Sequence, residues 1–121
     1  MAVLSIHHVS LLVANTQKSL QFYIGILGLE VDNGRPDLGY PGAWINIGNQ
    51  QIHLLELPSP DAAVDRPEHG GRDRHLAVMV DDIAAIETLL EQNNIAFSRS
   101  RSGRRAIFCR DYDGNALELI E

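Results

Sequence analysis

HHVSLLVANT (residues 7–16) lies over RHLAVMVDDI (residues 74–83) when the chain is shifted by 67 positions, and His8 then falls on His75. IHLLE (residues 52–56) lies over LELIE (residues 117–121) at a shift of 65, which sets His53 on Glu118. The two offsets differ only by a small loop change, so they describe one internal repeat. Each half of the chain carries a polar, potentially metal-ligating residue at the same two places, its first strand and its last.

The elements around these places repeat as well. Residues 4–13, rich in β-branched and aliphatic side chains, read as a strand. Asn15 or Thr16 can cap a helix over roughly residues 16–27, with Leu20, Tyr23, Ile24 and Leu27 on one face and Gly28 where a helix stops. Residues 29–32 give a second strand, and residues 43–47 and 51–57 flank Gly48 and Asn49, a hairpin signal. A polar stretch over about residues 58–72 with three prolines reads as a linker. The pattern then restarts. Residues 74–80 form a strand, and Asp81 or Asp82 caps a helix with Ile83, Ile86, Leu89 and Leu90 on one face, which Asn93 and Asn94 end. Residues 95–98 give a short strand, and strands 106–109 and 116–120 flank a turn at residues 111–115. The order is βαβββ, linker, βαβββ: a single α+β domain of two modules, about residues 1–57 and 73–121.

Side chains alternate faces along a strand. His8 shares a face with Ile6, Ser10 and Leu12, against Val9, Leu11 and Val13 on the other. His75 opposes Leu76, Val78 and Val80, while His53 opposes Ile52 and Leu54, and Glu118 opposes Leu117 and Leu119. One face of each strand is uniformly apolar and fit to pack under a helix. Two such units meeting about a pseudo-two-fold would direct His8, His53, His75 and Glu118 into one cleft. Imidazole nitrogen and carboxylate oxygen suit a borderline divalent ion: Zn, Ni, Co, Fe or Mn. Taken singly, each histidine is more often a hydrogen-bonded strand residue than a ligand; the repeat-equivalent placement of all four favours the metal. With no thiolate cluster, a structural zinc site is not expected.

A chain of 121 residues, 45% hydrophobic and 21% charged, is of a size and composition for one globular core. Its net charge of −6 argues against nucleic acid as the main partner. The single cysteine, Cys109, excludes an intrachain disulfide and suits a reducing compartment; it reads as a small core residue. The opening residues lack the features of a signal peptide, and no apolar run spans a membrane, so a cytoplasmic protein is expected.

The stretches IHHVSLLVANTQKSLQFYIGILGLEV, QIHLLELP, RHLAVMVDDI and RDYDGNALELIE resemble the vicinal oxygen chelate superfamily, which includes glyoxalase I, methylmalonyl-CoA epimerase, fosfomycin- and bleomycin-resistance proteins and extradiol dioxygenases. The resemblance implies paired βαβββ modules forming a cupped mixed sheet around a divalent metal, and a homodimer. It implies His8, His75 and Glu118 as ligands and matches His53 to a position that glyoxalases usually fill with Glu and epimerases with Gln. A histidine there departs from the pattern. His7 is expected on the helix-facing side, in a structural role, and Glu56 away from the ligands.

The activity that the resemblance implies is a metal-dependent lyase or isomerase of glyoxalase type, acting on a small substrate whose vicinal oxygens chelate the ion. Glu118 is the candidate base. Arg99, Arg101, Arg104 and Arg105, in SRSRSGRR, together with Arg72 and Arg74, suit a carboxylate or phosphate on the substrate, with Arg101 and Arg105 favoured; the alternative is a solvated hairpin. Trp44 and Tyr40 either line the cleft or pack. The competing functions are an Fe(II) extradiol-type dioxygenase, an epoxide-opening antibiotic transferase and a drug-binding protein that does no chemistry.

Overall fold

The structure, a computed structural model, describes residues 1–61 and 65–121. Residues 62–64, part of the expected linker, lie outside the described residues. The chain divides into two compact units, Met1–Pro60 and Asp61–Glu121, and each contains one βαβββ module.

In the first unit β1 (His8–Leu12) leads to α1 (Thr16–Leu20), which widens into a π-helical turn over Gln21–Ile26. Then follow β2 (Glu30–Asp32), β3 (Gly42–Ile47) and β4 (Gln50–Leu55). The sheet order is β1-β4-β3-β2, with β1 parallel to β4 and the other pairs antiparallel. Asn15 caps α1 by accepting from Lys18 N at 3.0 Å. Glu56, just past β4, accepts from Thr16 N at 2.7 Å, so it serves the helix start and faces away from the candidate ligands.

The second unit repeats this. It holds β5 (His75–Met79), α2 (Ile83–Gln92), β6 (Phe97–Arg99), β7 (Ala106–Arg110) and β8 (Ala116–Ile120), in the order β5-β8-β7-β6. Asp82 caps α2 through Ala85 N at 3.0 Å, and Glu121 accepts from Ile83 N at 2.8 Å. Both capping pairs keep the offsets of the sequence repeat.

The buried stripe of the first helical segment differs from the expected one. Thr16, Ser19, Phe22, Tyr23 and Ile26 are buried, while Leu20, Ile24 and Leu27 are only half-buried. The cause is the π turn: Leu27 N bonds Phe22 O at 3.0 Å, five residues back, so consecutive Phe22 and Tyr23 both turn inward. A 3.6-residue template has no place for that extra residue. With Val13, Ala43, Ile45, Ile52 and Leu54 these rings make the core of the first unit. Ile83, Leu90, Ile107, Leu117 and Leu119 anchor the second. Each fully buried aliphatic or aromatic side chain contributes about 1.5–3 kcal/mol by leaving water. The first strand is shorter than expected: it starts at His8, the residue whose partner across β4 is Gln51. Among the described residues, no helix is long and apolar enough to cross a membrane.

Candidate functional site

Strand register sets the candidate ligands in pairs, one pair in each unit. In the first, His53 lies opposite Ser10 on β1 and Trp44 on β3. This leaves its ring between two others. The His8 ring stacks on it at 3.9 Å and 19°, and the Trp44 ring at 4.7 Å and 11°. Trp44 therefore packs against a candidate ligand. His53 Nε2 lies 2.8 Å from Gln51 Oε1, while Gln51 Nε2 donates to Asp32 Oδ2 at 2.8 Å and to Asn46 Oδ1 at 2.9 Å. The Gln51 carbonyl thus faces the ring and accepts from Nε2–H, so Nδ1 carries the lone pair. Burial, then the neighbouring His8 and His7, hold the His53 pKa below its usual value, which keeps the ring in the neutral form that binds metal. His7 is exposed, and its Nδ1 lies 2.8 Å from His8 Nδ1 rather than under the helix.

In the second unit Glu118 occupies the equivalent place, opposite Ala77 on β5 and Phe108 on β7. Its side chain is only 4% exposed, yet three groups meet there. His75 Nε2 lies 3.3 Å from Glu118 Oε2, Arg104 Nη2 donates to Glu118 Oε1 at 3.0 Å, and the His75 ring meets Phe108 edge-on at 5.2 Å. His75 Nδ1 lies 2.9 Å from Asp73 O, a carbonyl that can only accept, so Nδ1 carries the proton and Nε2 is aimed at Glu118. Metal-binding histidines are commonly oriented in this way, by the second ring nitrogen donating to a backbone carbonyl.

The spacing also fits a shared ion. Nitrogen and oxygen ligands bound at about 2.0–2.2 Å and at adjacent positions lie about 3.0–3.4 Å apart. The His75–Glu118 separation is within that range. Among the described residues, no group of three or more His, Cys, Asp or Glu side chains forms a metal cluster.

His75 and Glu118 line a cavity of about 740 Å³ in the second unit, whose wall includes Arg72, Arg101, Arg104 and Ser102. Of the two arginines favoured from sequence, Arg101 is in this wall. Arg105 pairs through Nε with Glu121 at 3.1 Å. Arg74 pairs with Asp61, and Arg99 with Glu87 at 3.1 Å. Tyr40 lies under the Arg35 guanidinium at 5.3 Å. Burial pushes the Cys109 thiol up to about 12, as suits an inert core residue.

Among residues that the strand pattern did not single out, Gln51, Asp73, Arg104 and Phe108 touch the candidate ligands. Gln51 was recoverable, since it lies two residues before His53 and so shares its face. The Asp73 carbonyl and the reach of Arg104 depend on loop conformation and carry no strand signal.

The chain matches the family described as the glyoxalase/bleomycin resistance protein/dioxygenase superfamily over residues 5–119. It is 33% identical to the uncharacterized protein YaeR of Escherichia coli K12, covering 96% of this chain and 95% of that one. It is 29% identical to the lactoylglutathione lyase of Escherichia coli O157:H7, covering 94% and 90%. Among solved structures, a variant of FosX, a fosfomycin resistance protein of Listeria monocytogenes complexed with Mn(II) and 1S,2S-dihydroxypropylphosphonic acid, superposes with a TM-score of 0.78. That likeness spans 98% of this chain and 92% of FosX at 16% identity, so it speaks for the fold.

Proposed function

The chain belongs to the glyoxalase/bleomycin resistance protein/dioxygenase superfamily, and from that premise we propose that it is a divalent-metal-dependent lyase or isomerase of glyoxalase type. Its substrate is a small molecule with vicinal oxygens that chelate the ion. The relatives include lyases and an epimerase, which supports an enzyme. The observation that carries this reading is the His75–Glu118 pair, 3.3 Å apart at the wall of an arginine-lined cavity, with His75 Nε2 aimed inward by the Asp73 carbonyl.

His75 and Glu118 would hold the ion, and His8 and His53 are the further candidate ligands that the sequence repeat supplies. When bound, a divalent ion stabilises negative charge that develops on substrate oxygen. Glu118 is the base that moves a proton between adjacent carbons. In the metal-free chain that carboxylate is held at the cavity wall, with one oxygen beside His75 and the other accepting from Arg104. Phe108 and the strand beneath shield one side of the carboxylate from water, which strengthens these contacts. The cavity arginines orient the substrate through its anionic end.

The test is elemental analysis of tag-free protein after reconstitution, beside His8→Ala and His75→Ala. About one ion per chain in the parent, lost in both variants, is the expected result; the ratio follows from one His75–Glu118 pair per chain. A parent that takes up no ion after reconstitution overturns the reading in favour of a metal-free binding protein.

A further inference from the structure

Arg104 is the cavity residue with two claims on it. Its Nη2 donates to Glu118 Oε1 at 3.0 Å and its Nε to Ser102 Oγ at 3.2 Å. Glu118 is 4% exposed and Arg104 57%, so a nearly buried carboxylate is paired with an exposed cation from the rim. A divalent ion bound to Glu118 supplies that positive charge itself. The guanidinium is then surplus beside the metal, and like charges repel. The side chain is long and half in solvent, and Arg101, Arg72 and the serines of the same wall line the cavity beside it. The cavity wall has an excess of cations, and among the described residues Arg104 is the arginine that touches Glu118.

We propose that Arg104 is a substrate-recognition residue that metal binding releases from Glu118, so that it binds an oxyanion of the substrate, a carboxylate or a phosphate-type group, together with Arg101. Metal and anion then bind with positive cooperativity, because the ion takes over the Glu118 contact and hands the arginine on. The proposal rests on the metal reading above.

Zinc titration into the metal-free full chain and into R104Q and R101Q tests it, followed by inorganic phosphate and, separately, acetate titrated into the zinc-free and zinc-loaded forms. R104Q should bind zinc about tenfold more tightly than the parent, since a competing cation worth one charge-assisted hydrogen bond is gone. R101Q should leave zinc affinity unchanged. In the parent, zinc should tighten anion binding several-fold. Part of any gain is anion bound directly to the ion, and R104Q retains that part; the expected result is that R104Q loses the remainder. The anion with the larger gain names the substrate group. Equal zinc affinity in parent and R104Q, or an anion gain as large in R104Q as in the parent, overturns the coupling and leaves the metal site standing. No zinc binding to any of the proteins overturns both readings.

Discussion

In the first unit His53 sits between two aromatic rings, His8 at 3.9 Å and Trp44 at 4.7 Å; at the equivalent place in the second, Glu118 sits between His75 at 3.3 Å and Arg104 at 3.0 Å. The backbone around the two is the same. His53 pairs with Ser10 and Trp44, and Glu118 with Ala77 and Phe108, in the same strand register. One scaffold therefore presents a neutral ring in one half and a charge in the other. Flat neighbours suit a buried neutral imidazole, which needs shape and one hydrogen bond. A buried carboxylate needs cations, and the second unit gathers them: its cavity wall carries Arg72, Arg101 and Arg104. The halves have diverged in charge while keeping their frame.

The largest effect should come from removing that charge. Glu118→Gln keeps the shape and is expected to lower turnover by roughly 10²–10⁴-fold, as loss of a positioned base does, with an unchanged circular dichroism spectrum. Full turnover with metal still bound would end the assignment of Glu118 as base.

Next is a place where the frames differ. Gly42 opens β3 with no room for a side chain, since a Cβ there would come 2.3 Å from the Leu54 carbonyl oxygen; the equivalent Ala106 of β7 is accommodated and buried. Gly42→Ala should destabilise by about 1–3 kcal/mol, as overpacking does, measured by urea unfolding. Ala106→Gly should cost less, about 1 kcal/mol or below. Equal costs would mean that the two frames are interchangeable here.

Where the frames agree, the effects should match. Asn15→Ala and Asp82→Ala each remove a helix cap and should each cost about 1 kcal/mol. A difference much larger than that would show that the helices are held unequally.

The smallest effect is a pH dependence confined to the first unit. His53 takes up a proton less readily folded than unfolded, because burial and the neighbouring His8 oppose the charge. Its contribution to stability is therefore full above the unfolded value of about 6.5 and is lost as pH falls through that value toward the lower folded one. Denaturant midpoints of metal-free protein should fall over that range, and His53→Gln should flatten the fall. An identical slope in parent and variant would place the titration elsewhere.

The repeat, the two βαβββ modules, both helix caps and the faces of His8, His53, His75 and Glu118 are all written in short-range pattern. Alternation with period two and capping residues at fixed offsets are local properties, so one chain read alone carries them. The π turn at Gln21–Ile26 was not legible, because a hydrophobic stripe does not distinguish a four-residue from a five-residue hydrogen-bond step. Among the arginines of the β6–β7 loop the sequence favoured Arg101 and Arg105 and carried no signal for which one reaches Glu118. Arg104 reaches Glu118 and Arg105 turns to Glu121, although the two are adjacent and chemically identical.

By itself, then, the sequence determined which strands repeat and which residues share a face, since those follow from spacing along the chain. Only the tertiary structure decided what each candidate ligand touches: His53 between His8 and Trp44, His75 turned by the Asp73 carbonyl, Glu118 bound to Arg104. Those contacts join residues distant in sequence or held by loop backbone, and their geometry is fixed when the sheet closes its register and the loops settle on it.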